Sequence, residues 1–189
     1  MKMSEILRED QENSKPHLYL DMDGVQADFF GAWSDYHNVP HWKAINDREK
    51  EIEQLANSSA KEVYDYFRNL EPLPGGKKVV EWLKKHNIPF TVLSAPLRGP
   101  YKEASIKAKQ DWLDEFNPGT SSSAIFTGNK FKYAMSDGKP NVLVDDFGPY
   151  LKAWHNAGGI AVKHEDEHEM PNSSEETIKT LEKIYFTDI

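Results

Sequence analysis

No cysteine occurs in the 189 residues, which excludes disulfides, a thiolate nucleophile and cysteine-based zinc sites together. Long apolar runs are missing too, and nothing approaches the ~20 residues needed to span a bilayer. The N-terminal stretch "MKMSEILREDQENSKP" is charged and lacks the apolar centre of a signal peptide. Residues 1–16 therefore read as a flexible lead-in, and the expected location is cytoplasmic, away from any membrane. Positive charge is the third shortage: 23 Lys and Arg stand against 31 Asp and Glu, a net charge of −8. That balance disfavours long nucleic acid, whose backbone calls for a basic surface. A small anionic substrate stays open, because a bound cation and one or two lysines can reverse the field locally.

What is present suits one soluble domain with a respectable core and room for a small insertion. Five short apolar runs stand out: "LYLD" (18–21), "FTVLS" (90–94), "AIFT" (124–127), "NVLVDD" (141–146) and "GIAVK" (159–163). Helical spacing fills the later gaps. "GGKKVVEWLKKHN" puts Val79, Val80 and Leu83 on one face, "YKEASIKAKQDWLDEF" aligns Ile106, Trp112, Leu113 and Phe116, and "GPYLKAWHNAG" ends at a glycine. Alternating strands and helices predict an α/β fold, a doubly wound, Rossmann-like and mostly parallel sheet. The roughly fifty residues after the first strand break this alternation with purely helical patterns, and connections that long usually carry structure of their own. They predict a small helical cap at 31–71, inserted into a core made of 17–30 and 72–189. The tail "EMPNSSEETIKTLEKIYF" reads as a closing helix with Ser173 and Ser174 as its capping signal.

The chemistry lies at the strand ends. In an open α/β sheet, ligands sit beyond the carboxyl ends of the strands. The first strand ends in Asp21 and Asp23, the second in Ser94, the third leads to Lys130, and the fourth ends in Asp145 and Asp146. Carboxylates crowded together repel unless a cation or proton offsets them, and Mg²⁺ suits a few carboxylates with water and phosphate oxygens. An aspartate can attack phosphorus, splitting hydrolysis into two steps. A second can carry the proton, while a lysine and a serine hydroxyl neutralise and position the phosphoryl oxygens.

Four motifs in this order, D-x-D-G-V, Ser, Lys and D-D, resemble those of the haloacid dehalogenase-like phosphohydrolases. More narrowly, "DMDGVQADF", "FRNLEPLPGG", "VLSAPLR", "KQDWLDEF", "TGNK" and "VLVDDF" are similar to the 5′(3′)-deoxyribonucleotidases. The resemblance implies a Mg²⁺-dependent phosphomonoesterase with a small helical cap, acting on nucleoside monophosphates through an aspartyl-phosphate. It implies Asp21 as nucleophile and Asp23 as general acid/base that also lends its backbone carbonyl to Mg²⁺. Asp21, Asp145 and Asp146 would complete the metal site, Ser94 and Ala95 would hold phosphate, Lys130 would neutralise it, and Phe29 would pack against the base. The expected partner is a small phosphorylated substrate, and the expected assembly a monomer or homodimer. The sequence departs from the family at Ser94-Ala95, where two hydroxyl residues are usual, and around Lys130, which leaves Lys132 as a second candidate. Alternatives are a phosphatase for another small ester or a nucleic-acid end, and a non-enzymatic receiver-like switch.

Plainer readings compete. Asp145-Asp146 could cap the following helix, Asp28 reads as a helix-surface residue, and Phe29, Phe30, Trp33 and Tyr36 fall at core spacing. "KHEDEHEM" sets His164 and His168 four apart among acids, where a charge-rich exposed loop is a better reading than a second metal site. His37 and His41 have no evident partner.

Overall fold

The computed structural model describes residues 15–187; most of the lead-in expected over 1–16 lies outside them. The first strand, β1 (Leu18–Leu20), is buried throughout. The chain then forms α1 (Phe29–Tyr36), a short 3₁₀ turn at Trp42–Ala44, α2 (Arg48–Ala56) and α3 (Ala60–Arg68). It re-enters through α4 (Pro74–Lys85), β2 (Phe90–Ser94), α5 (Lys102–Phe116) and β3 (Ile125–Phe126). A two-residue hairpin, β4 (Met135–Ser136) and β5 (Lys139–Pro140), precedes β6 (Val142–Asp145), α6 (Gly148–Asn156), β7 (Ile160–Lys163) and α7 (Ser173–Phe186).

The main sheet runs β3-β2-β1-β6-β7, and every pairing in it is parallel. The fold is thus α/β and doubly wound, as expected. β1 lies between β2 and β6, so the chain order reverses there and a crevice opens beyond its carboxyl end. Helices cover both faces, which is why the central strands are continuous apolar runs rather than alternating ones. Leu20, Val79, Leu83 and Val144 belong to one core cluster, while Met22, Val92 and Trp112 join the cap's Trp33, Val63 and Phe67 in another.

The helices inserted after β1 span 29–68, within the stretch expected to form the cap, and two neighbouring chain segments join them to the sheet. Asp28 N–H donates to Glu71 O at 2.8 Å and Leu73 N–H to Gln26 O at 2.9 Å. Asp28 is the N-cap of α1, where its carboxylate accepts from Gly31 N–H, so it is a capping residue rather than a plain surface acid.

Two helix readings change. The buried stripe of α5 is Ser105, Ala108, Lys109, Trp112 and Leu113, whereas Phe116 stays 40% exposed. The capping signal ahead of α7 is not used as one: the N-cap is Asn172, without a side-chain cap, and Ser173 Oγ faces His164 Nε2 at 3.4 Å instead.

The loop 164–169 also differs from a free exposed segment. His164 is fully buried and meets Thr177 Oγ1 at 3.0 Å. The Glu167 carboxylate accepts from Gly75 and Gly76 N–H at 2.9 Å each, capping a helix that has no cap of its own. Asp166 accepts from Trp42 Nε1, Glu169 pairs with Lys43, and His168 meets Asp28 Oδ1 at 2.8 Å. One core loop is therefore tied to the joining segments and to the cap.

Candidate active site

β1 delivers Asp21 because its last ladder bond, Asp21 N–H to Val144 O at 2.9 Å, keeps the residue in line with the strand. The chain turns at once: Gly24 has φ +74°, and a Cβ there would come within 2.8 Å of Asp146 Cγ. Only glycine combines that conformation with so close an approach. Gln26, buried in the same turn, donates to Asp21 O at 2.8 Å and accepts from Asn117 Nδ2 at 3.0 Å. The backbone around the carboxylates is therefore fixed from behind.

The structure brings Asp21, Asp23, Ser94, Lys130, Asp145 and Asp146 to one crevice. Lys130, 1% exposed, places Nζ 2.8 Å from Asp21 Oδ1 and 2.7 Å from Asp145 Oδ2. The Lys130 ammonium group is thus the charge partner of Asp21 Oδ1 as well as of Asp145. Lys132, by contrast, is exposed; position alone separates the two lysine candidates. Asp145 Oδ1 accepts from Phe147 N–H at 2.8 Å, so Asp145 both orders the start of α6 and faces the cluster.

One member was missed from the sequence. Lys109, fully buried on the inner stripe of α5, donates to Asp23 Oδ2 at 2.6 Å, to Ser94 Oγ at 3.0 Å and to Ala95 O at 2.7 Å. A lysine falling i, i+3 and i+4 among the residues that α5 buries was the available signal. Asp23 therefore turns to its own ammonium group and leaves the carboxylate cluster to the others. Its second oxygen, Oδ1, is buried without a partner among the described residues.

Burial and neighbouring charges act together on the ionisation of these groups. Burial pushes the Asp145 carboxyl up to about 7, with the Asp21 charge adding to the effect and Lys130 opposing it. Burial, Asp21 and Asp145 also push Asp146 well above the carboxylate range. Asp23 is raised by burial and, after the opposing pull of Lys109, by Asp21. Burial opposes the Lys130 ammonium, but Asp21 and Asp145 outweigh it and hold the group above the ordinary lysine value. Four carboxylates thus face the buried ammonium groups of Lys109 and Lys130 and the more exposed Lys163, an excess of negative charge.

A divalent metal fits this excess. Asp21, Asp145 and Asp146 each offer a carboxylate oxygen, and these lie within 4.8 Å of one another. This all-oxygen donor set suits a hard cation such as Mg²⁺. The Asp23 carboxylate is not part of it. A second acidic group, His41, Asp166 and Glu169, already spends its atoms on Trp42 and Lys43.

The helices over 29–68 carry an aromatic cluster. Phe29 is half-buried and stacks on Trp33 and Phe67, with Tyr66 edge-on. Trp42 stacks on Phe30 at 4.8 Å between centroids. Among the described residues, no helix is long and apolar enough to cross a membrane.

Comparison with known proteins identifies the family. Residues 15–168 match the family described as 5′ nucleotidase, deoxy (pyrimidine), cytosolic type C protein. A 5′(3′)-deoxyribonucleotidase of Bacillus subtilis (strain 168) is 28% identical over 140 residues, covering 70% of this chain and 76% of that protein. The namesake from Bacillus phage SPbeta matches to the same extent. Among solved structures, the HAD domain of effector protein Lem4 from Legionella pneumophila is 14% identical with a TM-score of 0.45, covering 92% of this chain and 98% of that one. A HAD family enzyme from Bacteroides thetaiotaomicron, solved as a magnesium complex, is 12% identical with a TM-score of 0.43, covering 80% and 94%.

The family match and the curated relatives make the chain a phosphoric monoester hydrolase, an enzyme rather than a receiver-like switch. Within that class the chain belongs to the family of deoxy (pyrimidine) 5′ nucleotidases of the cytosolic C type.

Proposed function

We propose that this protein is a Mg²⁺-dependent 5′(3′)-deoxyribonucleotidase of the cytoplasm that releases orthophosphate from (deoxy)nucleoside monophosphates through an aspartyl-phosphate on Asp21. The observation that carries it is the separate pairing of two aspartates two positions apart, Asp21 with Lys130 and Asp23 with Lys109. One carboxylate is set beside Lys130 and the acids that would hold the metal, and the other is held apart as a proton carrier.

Asp21 attacks phosphorus with a carboxylate oxygen, and the ester P–O bond breaks. Asp23, whose carboxyl is raised by burial, gives its proton to the leaving oxygen. It then takes one from the water that attacks the acyl phosphate, and Asp21 leaves as carboxylate. Ser94 donates to a phosphoryl oxygen while Lys109 fixes its hydroxyl, and Lys130 neutralises a second oxygen. Asp21, Asp145 and Asp146, with the Asp23 carbonyl, would hold Mg²⁺, which supplies charge neutralisation at the phosphoryl group when bound. Residues 31–71 serve as the lid that excludes water, and Phe29 provides the aromatic surface against which a base packs.

The reading is tested by phosphate release across a panel of deoxy- and ribonucleoside monophosphates, with and without Mg²⁺. Metal-dependent turnover with a preference among nucleotides, abolished by Asp21→Asn, is expected. Turnover in Asp21→Asn would overturn the covalent step, and uniformly weak rates on all nucleotides would move the enzyme to another small phosphate ester.

A further inference from the structure

Lys130 has a neighbour that neither the motifs nor the family resemblance assigns. Tyr150 lies in the first turn of α6, just past Asp145 and Asp146, and its ring centroid is 4.7 Å from Lys130 Nζ. The ammonium group is therefore enclosed by two carboxylates and one aromatic face, Asp21 at 2.8 Å, Asp145 at 2.7 Å and the Tyr150 ring. The ring is itself supported edge-to-face by Phe147 at 5.1 Å. Its hydroxyl makes no hydrogen bond among the described residues and would stand 3.8 Å from a Cβ at Gly128, beside the loop that leads into Lys130.

Each part of this arrangement matters to the lysine. A flexible four-carbon side chain loses its position easily, and an ammonium group is strongly hydrated in the open. An aromatic face offers attraction through its ring quadrupole without competing for hydrogen-bond donors, and keeps water away from the cation. A charge held dry and in place acts far more strongly on developing charge than one that water screens.

We infer that Tyr150 is a positioning residue for Lys130, its ring acting as the wall that keeps the ammonium group dry and directed at the phosphoryl oxygens. This rests on the proposed role of Lys130 in phosphate-ester hydrolysis, and it assigns the work to the ring rather than to the hydroxyl.

The test uses the full chain with Tyr150→Leu, which removes the ring, and Tyr150→Phe, which keeps it. Reaction of Lys130 with an amine-acylating reagent, read by peptide mass spectrometry, needs no activity. The Leu variant should label at least about fivefold faster than the unsubstituted protein and the Phe variant at nearly the same rate. With Mg²⁺ and p-nitrophenyl phosphate, kcat should fall about tenfold in the Leu variant, near 1.4 kcal/mol of transition-state stabilisation. KM should change by less than about threefold, and the Phe variant should regain most of the rate. Unchanged labelling in Tyr150→Leu, or a Phe variant as impaired as the Leu variant, overturns the proposal. If the unsubstituted protein turns over no phosphate ester, the hydrolase reading fails while the labelling still decides the contact. Thermal unfolding of both variants shows whether they remain folded.

Discussion

Lys109 Nζ lies 2.6 Å from Asp23 Oδ2 and 3.0 Å from Ser94 Oγ, so one buried ammonium group joins the turn after β1 to the end of β2. Lys109→Met keeps the length and apolar stem and deletes the charge. Breaking a buried pair by removing one partner costs about 3–5 kcal/mol. Asp23 retains 24% side-chain exposure and can protonate, which places the expected stability loss at the lower end of that range. The rate should suffer more clearly, because both the proton carrier and the phosphate-binding hydroxyl lose their anchor: kcat should fall at least about tenfold. Urea unfolding and phosphate release measure the two effects. A variant with unimpaired kcat would leave Lys109 a purely structural residue.

Gly76 supports the site from further back. A Cβ there would fall 1.9 Å from Val25 O and 2.8 Å from Gln26 Cα, both backbone atoms of the turn that follows Asp23. That turn cannot retreat without moving Gln26, which holds the Asp21 carbonyl. Gly76→Ala should therefore destabilise by about 3 kcal/mol, the upper range for overpacking, and lower phosphate release at the same time. Gly148→Ala is the control, since nothing lies within 4 Å of its Cβ position, and it should stay within about 0.5 kcal/mol of the original. Urea denaturation midpoints distinguish them.

How much of this was legible beforehand depends on the range of the interactions. The five main strands announced themselves because strands buried on both faces are continuous apolar runs, and the strand-end residues then followed from topology alone. The hairpin β4–β5 escaped. Its strands pair only Met135 with Pro140 and Ser136 with Lys139, too short for a periodic signal, although Asp137-Gly138 with φ of +50° and +76° is a recognisable turn pair. Lys109 escaped because sequence patterns treat a lysine as surface, and its acceptors lie 14 and more positions away. His164 and Glu167 were read as exposed for the same reason: their partners Thr177, Gly75 and Gly76 are set by tertiary packing. The lysine choice, Lys130 over Lys132, needed the 3₁₀ turn at Lys130–Tyr133 that buries one and exposes the other.

The tie between His168 and Asp28 crosses from the core loop to the first cap helix, and it makes the cap's attachment dependent on pH. The hydrogen bond to Asp28 raises His168 above its ordinary value of 6.5, against a smaller opposing effect of burial, with Asp166 and Glu167 adding to the rise. A group whose folded value is raised contributes stability that is complete below the unfolded value, about 6.5, and is lost as pH climbs through the folded one. Stability from this pair should therefore be present at pH 6 and decline toward pH 8. His168 is 44% exposed on its side chain, so solvent screening keeps the contribution below about 1 kcal/mol. His168→Gln should flatten that part of the stability profile, measured by urea unfolding at pH 6 and pH 8. Asp28 continues to cap α1 through Gly31, so the cap itself should stay folded in the variant. High salt should reduce the difference between the two proteins, since an exposed pair is screened within about 8–10 Å. An unchanged pH slope in His168→Gln would place the dependence elsewhere in the molecule.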